Sequence, residues 1–158
     1  MSDWLVPDSL APNTDGPLLP MYEAAARGEL SLPFCAQCDT PLELDQSRCD
    51  NCGHDVVSWQ TVAPRGVVHS ATTVHRREPG LILTTAPYHV VDVELHSGHR
   101  LLMTTTRSVA AAPVIGAAAT VAFRTVGGVA VPALVPADLA DTTDPASPSH
   151  PTPTEVAP

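Results

Sequence analysis

Lysine is absent from the chain: all eight basic residues are arginines, set against 17 acidic ones. The net charge of -9 argues against a nucleic-acid partner, which calls for a cationic face. Aromatic residues are scarce at 4%, so the stacking platforms of a single-strand binder are thin as well. No basic stretch followed by an apolar run opens the sequence, so no targeting segment is expected. The most apolar window, residues 109–122, is too short to span a bilayer and is interrupted by Pro113 and Gly116. Neither a membrane partner nor a membrane location is expected, and the chain reads as cytoplasmic. Cysteines in that compartment stay reduced and serve as metal ligands more often than as disulfides.

What the chain does have is proline, 17 of 158 residues, and a hydrophobic share of 44%. Together these describe short elements separated by turns around a real core, rather than long helices or disorder. The charge is unevenly spread. Residues 1–57 carry a net -8, residues 58–136 a net +3 and residues 137–158 a net -4. The middle of an acidic chain is thus locally cationic and suited to a small polyanion, although so slight an excess is also ordinary surface.

Residues 1–17 lack periodicity and read as a flexible arm. Residues 18–34 contain a good helix-forming run, 21–27, closed by Gly28. The apolar positions Leu18, Met21, Tyr22 and Ala25 recur at helical spacing. With two turns, this helix must pack on something to be stable. From Val57 the pattern turns to β-structure. A first strand, broken at Pro64-Arg65-Gly66, runs to His75, and further strands are expected over 88–95, 100–107, 119–125 and 129–135. On the second, Val91, Val93 and Leu95 should face inward, opposite Asp92 and Glu94. The Ala/Pro-rich stretch 108–118 stands where an OB-fold commonly carries its helix. Five strands fit that partly open barrel, and nearly as well an SH3-like barrel or small sandwich. Residues 137–158 read as a disordered tail or linker.

All four cysteines fall in residues 35–56. Cys35 and Cys38, then Cys49 and Cys52, form two pairs that can each present two thiolates to one tetrahedral ion. Four sulfurs close the coordination sphere, so a structural zinc site is expected, with iron as the alternative. Metal binding would supply folding free energy that so short a segment lacks in its own core. Disulfides are disfavoured by compartment, and a dithiol redox pair leaves the second pair unexplained. His54 is expected outside the ligand set. Histidines 69, 75, 89, 96 and 99 are expected on the surface or lining the barrel, His96 and His99 solvated beside a turn.

The order of the pieces is more specific than any one of them. Gly28-Glu-Leu-Ser-Leu-Pro33 leads into the ribbon, and the ribbon leads into the run from Trp59 to Arg76. Pro87-Tyr-His-Val-Val-Asp-Val-Glu-Leu follows a loop. This arrangement resembles an acyl-CoA-associated family in which a rubredoxin-like zinc ribbon precedes an OB-fold. The resemblance covers about residues 18–135. Its members have glycine after each cysteine pair and arginine before the first cysteine. Here Gly53 matches, whereas Asp39 and Phe34 stand at the other positions.

The resemblance implies a mainly β protein: a short N-terminal helix, a four-cysteine zinc ribbon over 35–56 and a five-stranded OB-fold barrel over 57–136. It implies a non-catalytic accessory subunit that binds acyl-CoA and completes the CoA-thioester site of a thiolase-fold partner. That partner would be a thiolase or an aldolase, such as one of steroid or lipid side-chain degradation, in a heterotetramer around a partner dimer. An acyl-CoA hydratase is a further expected partner. On this reading Arg65, His75, Arg76, Arg77 and Arg107 meet the phosphates of CoA. The plain alternative is that these strand-end arginines are merely solvated. Tyr22 and Trp4 are candidate anchors for the partner, although Tyr22 can equally pin the helix to its own ribbon. No catalytic constellation is visible in the sequence. The competing functions are an OB-fold for single-stranded nucleic acid and a zinc-ribbon interaction protein without a small ligand.

Overall fold

The computed structural model describes residues 2–137, and the expected tail lies beyond them except for Ala137. A short helix α1 (Leu19–Ala25) precedes seven strands: β1 (Leu30–Cys35), β2 (Val57–Val62), β3 (Arg65–Val74), β4 (Tyr88–Leu95), β5 (Arg100–Thr104), β6 (Ala118–Val126) and β7 (Val129–Leu134). Helix α1 starts two residues earlier than the helix-forming run 21–27 suggested, because Pro20 is favourable in a first turn. It buries Met21, Ala24 and Ala25 and packs against β1 and β7.

Strands β3 to β7 form one antiparallel sheet in the order β5-β4-β3-β6-β7. The sheet curls until its edges meet at Thr105 and Leu134, where Thr106 N–H donates to the Leu134 carbonyl at 2.9 Å. Closure is confined to that point, so the barrel is nearly closed, as in an OB-fold. Two features allow the curvature. A bulge at His69 shifts the register between Val68 and Ser70, and such bulges increase local twist. Gly66 lies so close to the Glu94 carbonyl that any side chain there would collide with it.

The barrel core gathers Val68, Val91, Val93, Leu95, Val121 and Leu134, with Val91 and Val93 fully buried. The inward face of β4 is the one its alternation indicated. Asp92, on the other face, is nonetheless buried, held by the Arg100 guanidinium of β5. Segment 108–117 forms bends and a turn, not the helix expected there.

The first expected strand divides at Pro64. Its first part, β2, pairs with β1 from Leu30↔Val62 to Cys35↔Val57 and so belongs to the ribbon. This two-stranded base is shared between the modules, because Leu30 and Leu32 of β1 sit in the barrel core. His99 ties them further. Its Nε2 donates to the Pro33 carbonyl at 2.8 Å, its Nδ1 accepts from Ser97 Oγ at 2.9 Å, and its ring meets Phe34 edge-on at 4.8 Å. His99 is therefore buried, not solvated beside the turn as its position suggested.

The residues read as a flexible arm lie against the barrel. Leu5 is buried, and its carbonyl accepts from Leu83 N–H at 2.8 Å. Trp4 Nε1–H donates to the Thr105 carbonyl, and Arg124 Nη1 lies 2.6 Å from Asp3 Oδ1. At the β6–β7 turn, Gly127 adopts φ 53°, and a side chain there would stand 2.7 Å from Ala11 Cβ.

A four-cysteine centre and a basic barrel end

The four cysteines converge from two turns built alike. In the first, Cys35 N–H donates to the Thr40 carbonyl and Asp39 N–H to the Cys35 carbonyl. In the second, Cys49 N–H donates to the His54 carbonyl and Gly53 N–H to the Cys49 carbonyl. The residue after each pair has positive φ, 57° at Asp39 and 74° at Gly53. Glycine is the usual occupant of that region, and aspartate tolerates it better than most residues. The Gln60 amide of β2 donates to Asp39 Oδ1 at 2.7 Å and fixes the side chain there.

The Sγ atoms all lie within 4.8 Å of one another, with Cys35–Cys52 at 3.5 Å and Cys38–Cys49 at 3.6 Å. Disulfide sulfurs sit about 2.05 Å apart, so these cysteines are free thiols. A tetrahedron with metal–sulfur bonds of about 2.3 Å has edges of about 3.8 Å, close to what the sulfurs span. The donor set therefore fits a tetrahedral metal ion and leaves no position open. Electrostatics agree with the geometry. Hydrogen bonds from the Thr40 hydroxyl and then the Asn51 amide draw Cys38 down to about 5. At Cys52 the His54 N–H acts in the same direction, but desolvation and the neighbouring sulfurs outweigh it and push the thiol up to about 12. Cys38 thus forms a thiolate readily, whereas Cys52 beside it resists a second negative charge, which a bound cation would favour.

The centre has little apolar packing of its own. Cys35, Cys49 and Leu42 are buried together, with Cys38 and Val57 against them. His54 makes its turn through its backbone and is not in the cluster.

The expected CoA-binding residues divide into two places. His75, Arg76 and Arg77 follow the end of β3, and Arg107 follows β5. His75 lines a cavity of about 490 Å³ with Thr73, His89 and Pro87, and Arg107 lines an adjoining, mainly apolar one of about 510 Å³ with Val68, Val114 and Val135. Both cavities are bounded by Ser108, Val109, Ala110 and Ala112, so His75 and Arg107 flank one segment of the barrel, with Arg76 and Arg77 next to His75 in the chain. Arg76 is ion-paired with Glu78 at the surface. Arg65 opens β3, at the opposite end of a ten-residue strand, and stands apart from the others. Sequence reading marked 109–122 as the most apolar window but placed a turn of helix over 108–118, where the structure has a cavity wall; the alanine-rich run reads as helix until Pro113 is placed within it. Of the aromatics that a stacking platform would need, Phe123 packs against the core and Trp59 of β2 lines a cleft in the ribbon.

A four-cysteine ribbon leading into a nearly closed five-stranded OB-type barrel defines the class of protein. Residues 59–124 match the family model of the ChsH2 C-terminal OB-fold domain. Among solved structures, the chain is similar to one described as Ltp2-ChsH2(DUF35) aldolase. The two share 27% identity at a TM-score of 0.66, over 80% of this chain and 98% of that one. No curated protein matches the chain. The resemblance read from the order of helix, ribbon and barrel is thereby borne out.

Proposed function

We propose that the chain is a non-catalytic accessory subunit of an aldolase complex, a carbon–carbon lyase. In that complex it binds acyl-CoA and completes the CoA-thioester site of a thiolase-fold partner. The observation that carries this reading is the structural match, which takes in nearly the whole of a chain from an aldolase described by both of its components. The matched family is defined on the OB-fold domain of one component, ChsH2, and covers residues 59–124, from β2 into β6 of this chain.

The chemistry of the barrel end supports the ligand. CoA joins a polyanionic nucleotide to a long, largely apolar arm. Arg76, Arg77 and Arg107, with His75, would meet the phosphates, since guanidinium groups bind phosphate bidentately. The adjoining cavities bounded by 108–112 would take the arm and acyl group. Arg65 is too far along β3 to join them. The four thiolates of Cys35, Cys38, Cys49 and Cys52 would hold zinc as a structural ion, since a closed sulfur shell leaves no place for substrate. With two accessory chains flanking a partner dimer, the assembly would be a heterotetramer.

Isothermal titration of an acyl-CoA into the reconstituted complex tests the ligand assignment. Arg76→Glu with Arg77→Glu should weaken binding at least about tenfold, each lost charge-assisted hydrogen bond being worth about 1.5–3 kcal/mol. Unchanged affinity would remove both arginines from the site.

A further inference from the structure

The two cysteine turns share a backbone pattern but not their side chains. Cys38 and Cys52 are equivalent within them, each followed by a positive-φ residue and each facing the backbone N–H two positions on. Thr40 and His54 occupy matching positions, as do Gln37 and Asn51. A symmetric site would give each sulfur its own turn's donors. Instead, both side-chain donors converge on Cys38. Thr40 Oγ1 lies 3.2 Å from Cys38 Sγ. Asn51, which belongs to the other turn and adjoins Cys52, reaches across so that its Nδ2 lies 3.6 Å from Cys38 Sγ and 3.4 Å from Thr40 Oγ1. Among the described residues no comparable side-chain donor faces Cys52, which is exposed, whereas Cys35 and Cys49 are buried.

We propose that Thr40 and Asn51 are positioning residues of the metal centre that make its four sulfurs unequal: Cys38 is the anchored ligand and Cys52 the one that releases first. The inference rests on the reading of the four cysteines as a metal site. A tetrathiolate around a divalent ion carries net negative charge, and hydrogen bonds to a coordinated sulfur disperse it and fix the ligand's orientation. Two such bonds on one sulfur lower its nucleophilicity toward electrophiles and slow its departure. Cys52, exposed and without side-chain donors, keeps its full donor strength and is open to solvent. Asn51 also ties the turns together, because its amide spans from one to the sulfur of the other.

The experiment uses the full chain purified with zinc, whose metal content is measured first. Brief exposure to N-ethylmaleimide, followed by mass spectrometry of each cysteine, should label Cys52 ahead of Cys38. Zinc transfer to a chromophoric chelator should run roughly 10-fold to 100-fold faster in Thr40→Val with Asn51→Ala, with Cys38 now labelled as readily as Cys52. Thr40→Ser alone, which keeps the hydroxyl, should behave like the parent chain. Should the double variant fail to retain zinc during purification, the order of labelling in the parent chain and the Thr40→Ser rescue still decide. Simultaneous labelling of Cys38 and Cys52 in the zinc-loaded parent, or a release rate indifferent to the variants, would overturn the inference while leaving the metal assignment intact. A folded parent without metal would overturn both.

Discussion

The ribbon and the barrel, joined at β1 and β2, are held together by different means. The barrel buries a continuous apolar core, with Val91 and Val93 wholly excluded from solvent. Around its cysteines the ribbon buries only Cys35, Cys49 and Leu42 together, and beyond the β1–β2 ladder its backbone hydrogen bonds lie mainly in the two turns. One region is specified by many weak contacts, each replaceable, and the other by four atoms that must all be present. The boundary between them is blurred at β1, whose Cys35 belongs to the four-cysteine centre while Leu30 and Leu32 reach into the barrel core.

That contrast can be broken most severely at the proposed metal site. Stripping its ion with a chelator under reducing conditions should abolish hydrogen-exchange protection across residues 35–57 while β4 and β5 stay protected. Metal binding to such shells contributes about 10–16 kcal/mol in isolated peptides, far more than any single contact here. Loss of protection in both regions would mean that the barrel depends on the ribbon. Leu32→Ala sharpens the blurred boundary. Leu32 is fully buried, so the cavity left behind should cost about 2–5 kcal/mol in urea denaturation and destabilise the barrel from a ribbon strand.

The N-terminal strap gives a third test. Asp3→Ala would strand the half-buried Arg124 charge and should cost about 3 kcal/mol. The same pair carries a pH dependence. Burial raises the Asp3 carboxyl, but Arg124, with the Val6 and Leu5 N–H groups, outweighs it and holds the group below its ordinary 3.8. Its folded value being depressed, its contribution is complete above pH 3.8 and is lost as pH falls below that, through the folded value. Acid titration of stability should show this component in the parent chain and not in Asp3→Ala. His99→Ala should cost about 2 kcal/mol, from the lost bond to Pro33 and the edge contact with Phe34. The smallest effect on stability, within about 0.5 kcal/mol, is expected for charge reversal at exposed Arg76 and Arg77, whose loss should appear in acyl-CoA binding instead.

How far the sequence foretold these features follows from the same contrast. The cysteine pairs were legible because tetrahedral coordination demands that spacing, and the inward face of β4 because alternation demands it. The assignment of β2 to the ribbon was not legible, since a strand's partner depends on the register of a distant segment and β1 reads as ordinary apolar text. Nor was the docking of the arm, where single residues such as Asp3 and Leu5 find partners more than 70 positions away without any periodicity to announce them. His99 looked solvated because turn residues usually are, and only the Pro33 carbonyl explains its burial.

The accessory-subunit reading is tested most directly by affinity purification of the full chain from its native cell, with mass spectrometry of what co-elutes. Recovery of a thiolase-fold aldolase in stoichiometric amount, lost when the chain is omitted, is the expected result. A chain that emerges alone, folded and metal-loaded, would contradict it.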